Sequence, residues 1–158
     1  EFFERYVQYL LCDISKKKGA MQINNPHYSI GITNRPPWAL NYLEPDIIIQ
    51  KLDEQVVVDA KYKSHLFNWY NDTEELKMVF RHDLHQLLAY CSFNSMHSKQ
   101  ALLVYPFSNF TCHKMNVNSP LSTTEAQVFL IGIPLERNRI EEVKSKLNEI
   151  IIFNDPKI

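Results

Sequence analysis

Glu44-Pro45-Asp46-Ile47-Ile48-Ile49-Gln50, then the polar break Lys51-Leu52-Asp53-Glu54, then Gln55-Val56-Val57-Val58-Asp59-Ala60-Lys61-Tyr62-Lys63: this stretch decides the fold. Both halves are β-branched runs of strand length, and the break between them is hairpin-sized. Side chains alternate along a strand, so Val57, Asp59, Lys61 and Lys63 share one face, and Val56, Val58, Ala60 and Tyr62 the other. Asp59 and Lys61 then lie about 6.5 Å apart and point the same way. With residues 51–54 as the loop, Gln50 pairs with Gln55 and Asp46 falls opposite Asp59. A two-residue loop puts Asp46 opposite Lys61 instead. Any loop of even length keeps all three charges on one face.

Two carboxylates directly across a strand pair repel each other. A fold gains nothing from that arrangement unless a cation lies between them. Aspartate oxygens at the end of a hairpin suit Mg²⁺, a hard ion that takes oxygen ligands, with Mn²⁺ as a substitute. A lysine beside them can hold a water or an oxyanion, and the set suits metal-assisted hydrolysis of a phosphodiester. The plain alternative is a strand-entry aspartate after a proline and a solvated strand face. Against it, Asp59 interrupts a strongly apolar strand, where an unpaired carboxylate is costly.

A chain of 158 residues suits one domain, residues 1–158, with a real core and no need of disulfide staples. No apolar run approaches the roughly 20 residues of a membrane helix, and no signal-like start is present, so no membrane partner is expected. Cys12, Cys91 and Cys112 are odd in number and never in Cys-x-x-Cys spacing, which points to reduced, buried thiols and a cytoplasmic setting. The sequence opens on a helix pattern without an initiator Met, as an excised piece of a longer protein would. A net charge of −1 is small for a domain that grips DNA unaided, so a DNA substrate is expected to be delivered by another chain.

Residues 2–18 read as a helix, with Phe3, Tyr6, Val7, Leu10, Leu11 and Ile14 on one apolar face. Lys16-Lys17-Lys18-Gly19 is its stop. Glu4 sits at the border of that face, either as a surface residue favouring the helix N-terminus or as a group reaching into a neighbouring site. From Met21 to Tyr42 the pattern is weak. Turns are marked by Asn24-Asn25-Pro26 and Arg35-Pro36-Pro37, and a short strand is read around residues 28–32. Trp38 and Tyr42 either anchor this loop or stack on a base.

Asp72-Thr73-Glu74-Glu75 resembles a helix start with a reciprocal cap, and the helix runs to about Asn94. Leu84, Leu87, Leu88 and Cys91 form its core stripe. His82, Gln86 and Tyr90, four apart, form a polar one. Gln86 and Tyr90 are either boundary residues or groups that orient Lys61 and a phosphate. His82 and His85 lack His-Glu-x-x-His spacing and read as surface residues. Residues 100–105, 110–117 and 127–133 read as strands, and residues 139–153 as a closing helix with Ile140, Val143, Leu147, Ile150 and Ile151 inward. The fold class is therefore α/β, a mixed sheet flanked by helices. No phosphate-binding glycine loop appears, so a nucleotide-driven motor would be another chain.

The order Phe3-Glu4, Pro45-Asp46, Asp59-Ala60-Lys61-Tyr62-Lys63, Asp83-Leu84-His85-Gln86 with Ala89-Tyr90, and Leu103-Val104-Tyr105-Pro106 resembles the PD-(D/E)xK nuclease superfamily. Within it, these residues resemble the nuclease domain of McrC-type subunits of GTP-driven, modification-dependent restriction systems. The resemblance covers about residues 2–106. It implies a restriction-endonuclease-like core and a Mg²⁺-dependent DNA endonuclease. Asp46, Asp59 and the Ala60 carbonyl would be metal ligands, with Glu4 as a further acid. Lys61 would position the attacking water, and Gln86 and Tyr90 would match the helix motif of RecB-like nucleases. It also implies DNA and a McrB-type AAA+ GTPase as partners, with dimerisation as the route to cutting both strands. The N-terminal segment through which McrC subunits usually contact that motor is not among these residues. Two other readings stand beside it, a stand-alone repair or recombination nuclease and an inactive nuclease-fold scaffold.

Overall fold

A computed structural model describes residues 1–31, 36–37, 39–92, 98–118 and 125–154. In chain order the elements are α1 (Phe2–Lys17), β1 (Met21–Asn24), β2 (Tyr28–Ser29), β3 (Tyr42–Leu43), β4 (Ile47–Lys51) and β5 (Glu54–Ala60). A 3₁₀ turn over His65–Asn68 leads to α2 (Glu74–Ser92), β6 (Ser98–Pro106), β7 (Thr111–Asn118) and β8 (Glu125–Ile133). A second 3₁₀ turn, Arg137–Arg139, precedes α3 (Ile140–Ile150). Trp38, Arg35, and the far ends of the strand expected to reach Ile32 and the helix expected to reach Asn94 lie outside the described residues.

Six strands form one mixed sheet in the order β1-β4-β5-β6-β8-β7, with β5, β6 and β8 parallel and the remaining pairs antiparallel. This is the helix-flanked mixed sheet expected. β4 and β5 pair Ile47 with Val58 and Gln50 with Gln55, the register that sets Asp46 opposite Asp59. The loop is tighter than four residues, because Lys51 also pairs with Glu54. The expectation that a two-residue loop would shift Asp46 to Lys61 is therefore corrected. The turn is centred on Leu52-Asp53, and Leu52 takes φ 55°, the left-handed conformation that hairpin turns usually give to glycine.

β5 lies inside the sheet, with β4 on one side and β6 on the other, and its residues from Glu54 to Asp59 are buried. Val56 and Val58 face the core shared with α1 and α3, whereas Val57 faces the core under α2. Asp59, two residues on from Val57, therefore faces α2.

α1 buries Phe3, Val7, Leu10, Leu11 and Ile14, as its periodicity predicts. It ends in a Schellman motif: Ala20 N–H donates to Ser15 O, Gly19 N–H to Lys16 O, and Gly19 takes φ 63°. α3 packs beside it through Val143 and Leu147, with Glu142 and Lys146 paired outside at 2.8 Å. Lys144 departs from the expected apolar face. It is buried, ion-paired to Asp13 of α1 at 2.6 Å, and its Nζ lies 4.6 Å from the Tyr9 ring centroid. The start of α2 has half of the expected cap: Thr73 Oγ1 accepts from Leu76 N–H, and Leu76 has no side-chain acceptor to return the bond. β1 is a correction to the weak reading of residues 21–42. Among the described residues it is an edge strand paired to β4, and its burial does not alternate between successive residues. Tyr42 anchors its own loop, stacked on His27 with ring centroids 4.1 Å apart.

Gly132 of β8 shows how closely the second core is built. A Cβ there would lie 2.5 Å from Thr111 Oγ1, 2.6 Å from Leu66 Cδ1 and 2.9 Å from Phe107 Cβ. Gly132→Ala is expected to destabilise the protein by about 1–3 kcal/mol through overpacking. Urea unfolding measures it, and an unchanged midpoint would show that Leu66 and Thr111 yield freely.

Candidate active site

Asp46 enters β4 and Asp59 lies near the end of β5, both on the α2 side of the sheet. Asp59 is 1% exposed and Asp46 half-buried. Asp46 Oδ2 accepts the Ala60 backbone N–H at 2.6 Å, which brings the Ala60 backbone against the carboxylate pair. Burial first, and then the negative charge of Asp59, push the Asp46 carboxyl up to about 7. Burial raises Asp59 as well, with Lys61 opposing. In the absence of a cation, the pair therefore retains a proton well above the ordinary carboxylate range.

Lys61 Nζ lies 2.9 Å from Asp59 Oδ2 as an ion pair, off the line of a hydrogen bond, so that buried oxygen has no hydrogen-bond donor among the described residues. The same ammonium donates to Gln86 Oε1 at 3.0 Å, and Gln86 Nε2 donates to the Tyr90 hydroxyl at 2.7 Å. Burial draws the Lys61 ammonium down, but the negative charges of Asp59, Asp46 and Asp83 outweigh it and leave it above its usual value. Lys61 thus stays a cation beside two acids that resist ionising. Burial likewise raises the Tyr90 phenol, so its hydroxyl stays neutral and able to accept from Gln86.

Asp46, Asp59, Ala60, Lys61, Gln86 and Tyr90 are therefore brought together. Among the described residues Glu4 Oε1 accepts from Asn25 Nδ2 at 2.7 Å and Gln8 Nε2 at 3.2 Å. Asn25, in a left-handed conformation at φ 48°, donates its N–H to Asp46 O at 2.9 Å and so joins Glu4 to the strand entry. The charge of Glu4 reaches Asp46 as the weakest of the named influences. No group of three or more His, Cys, Asp or Glu able to hold a metal occurs among the described residues. Two facing acids, one with an oxygen that lacks a donor, nevertheless fit a Mg²⁺ ion, which commonly uses one or two carboxylates and keeps several waters.

Sequence reasoning missed a second cluster. Asp83 of α2 is 1% exposed; its Oδ1 accepts from Lys63 Nζ at 2.6 Å and its Oδ2 from the Tyr105 hydroxyl at 2.8 Å. His65 Nε2 lies 3.5 Å from the same Oδ2. The polar stripe of α2 is therefore Asp83, Gln86 and Tyr90, spaced i, i+3, i+7, and not the His82 series. His82 and His85 are exposed, as expected of surface histidines. The missed signal was the i,i+3 step from Asp83 to Gln86.

No described helix is long and apolar enough to cross a membrane. No curated protein gives a significant sequence match. Among solved structures, the chain resembles a chain of the refined half-complex from the tetradecameric assembly of Thermococcus gammatolerans McrB AAA+ hexamers with bound McrC, at 15% identity and a TM-score of 0.55. That likeness takes in 94% of this chain and 32% of the other, so the chain spans about a third of the length of the protein it matches. A family model described as McrBC 5-methylcytosine restriction system component matches residues 1–106, the part that holds every residue of both clusters. On that match the chain belongs to the McrBC 5-methylcytosine restriction system component family.

Proposed function

We propose that this chain is the DNA-cleaving module of a GTP-driven, modification-dependent restriction complex, a Mg²⁺-dependent phosphodiesterase of the PD-(D/E)xK type. The observation that carries the reading is the buried Asp46–Asp59 pair with Lys61 held between Asp59 and Gln86. Family membership supports the restriction setting. A McrB-type AAA+ GTPase is the proposed motor, in keeping with the McrB hexamers of the structural relative and with the small net charge of this chain.

Asp46, Asp59 and the Ala60 carbonyl are the proposed metal-holding groups, and Mn²⁺ is the proposed substitute ion. When bound, the ion supplies charge neutralisation at the phosphate and a lowered pKa for a bound water. The rest falls to the chain's own side chains. Lys61 holds the attacking water and meets negative charge as it develops on the phosphate, in a site where burial makes such stabilisation strong. Gln86 accepts one N–H of the ammonium and so fixes where the remaining N–H groups point, and Tyr90 fixes Gln86. Glu4 is proposed as the further acid of the site, its carboxylate held by Asn25 and its charge felt at Asp46.

Asp59→Ala and Lys61→Ala are each expected to lower cleavage at least ~100-fold with the fold retained. The measurement is plasmid digestion with Mg²⁺, GTP and a McrB-type subunit, with EDTA as control. A folded Lys61→Ala protein cutting at the full rate would refute the assignment.

The proton on the acid pair yields a second expectation. Asp46 titrates at about 7 in the fold and near 3.8 when free. Between those values the unfolded chain releases a proton that the folded chain keeps, so metal-free stability falls as pH rises through that window. Melting in EDTA across the window should show the decline in the natural protein and a flatter profile in Asp46→Asn. Below about 7, binding of Mg²⁺ should release a proton, seen as a buffer-dependent heat in calorimetry. Equal heats in buffers of different ionisation enthalpy would contradict the shared proton.

A further inference from the structure

We infer that Asp83 is a positioning residue that acts through Lys63 to set where Lys61 stands. The inference rests on the cleavage reading above. After Ala60 the chain leaves the ladder, so the backbone that carries Lys61 is held by few bonds. Lys61 N–H donates to Val104 O at 2.8 Å, and Lys63 N–H donates back to Lys61 O at 2.9 Å, closing a three-residue turn. That turn makes Lys61 and Lys63 one piece. Its far end is anchored where Lys63 Nζ meets Asp83 Oδ1 at 2.6 Å.

Asp83 in turn is tied to the sheet, because the Tyr105 hydroxyl of β6 donates to its other oxygen. One carboxylate thus joins α2, β6 and the exit of β5. Gln86 lies one helical turn further on the same face and receives the Lys61 ammonium at 3.0 Å. Asp83 and Gln86 therefore grip Lys63 and Lys61 from a single helix, and the spacing between the two grips is set by the helix backbone.

Stability alone gives a poor account of this carboxylate. Burying an ion costs several kcal/mol, and an apolar group of the same volume often holds two elements together at least as well. What an ion pair adds is a defined direction and distance. The Lys63 side chain is about one-third exposed, and its ion pair to Asp83 is what directs its ammonium.

The test uses the natural protein with Mg²⁺, GTP and a McrB-type subunit, and compares Asp83→Asn, Lys63→Met, the double variant and Lys63→Arg. Lys63→Met carries the test should Asp83→Asn fail to fold. Asp83→Asn and Lys63→Met are each expected to lower kcat about 10–100-fold, the usual range for groups that orient a catalytic shell. In Lys63→Met the KM for DNA and the affinity for Mg²⁺ should stay within about 2-fold, since that change removes no group that holds the acid pair. The double variant should be no worse than Lys63→Met, and Lys63→Arg should restore most of the rate because it keeps the ion pair. An unchanged kcat in Lys63→Met, or equal falls in kcat and Mg²⁺ affinity, overturns the positioning role. If the natural protein binds Mg²⁺ but leaves DNA uncut, the cleavage reading fails first and this inference falls with it.

Discussion

The repulsion between Asp46 and Asp59 is the constraint that the surrounding structure is built to tolerate. A hairpin with five paired positions holds the two acids opposite each other, and a slip of one residue would turn Asp59 to the α1 side. Such a slip is blocked because β5 is buried on both faces, with Val56 and Val58 in one core and Val57 in the other. The acids are relieved by three means: a retained proton, the Ala60 N–H on Asp46, and the Lys61 ammonium beside Asp59.

The two faces of the sheet accordingly differ in chemistry. The α1 and α3 side is an apolar core with polar groups at its margins: Lys144 is answered by Asp13, and Glu54 and Gln100 accept the backbone N–H groups of Asn154 and Ile152. The α2 side carries buried polar groups, Asp59, Asp83 and the Tyr105 hydroxyl, among its apolar contacts. Two lysines leave β5 toward α2, and α2 presents one acceptor for each. The result is a polar seam along the helix rather than a closed hydrophobic interface. It lies at the end of β5, where the ladder stops and backbone groups are released from strand pairing.

How far these features could be read from the residues depended on whether local pattern or tertiary placement fixes them. β-branched runs reveal β4 and β5, and even spacing places Asp46, Asp59 and Lys61 on one face whatever the loop. The turn itself was not legible, because Leu52 adopts a conformation that no leucine announces. β1 was missed since an edge strand with mixed burial has no alternation to find. Asp83 was missed for a related reason: a carboxylate in a helix ordinarily faces water, and only the approach of Lys63 and Tyr105 from other elements makes a buried one tolerable. Glu4 was legible as a border residue, but its bond from Asn25 depends on the left-handed turn after β1, which the residues there do not announce.

The family match ends at Pro106, the last residue of β6, yet the fold does not end there. β8 pairs along β6 from Gln100 to Pro106, and α3 packs on α1 through the shared core. Without residues 107–158, Leu103 and Tyr105 would lose the cover of β8 and β6 would become an open edge strand, prone to pairing with another chain. Gly132 lies against Leu66 and Phe107 closely enough that the 3₁₀ turn just beyond Lys63 rests on β8. The segment outside the match therefore supports the segment within it. It closes the sheet, and through Leu66 it steadies the stretch that carries Lys61 and Lys63 from the strand to the helix that grips them.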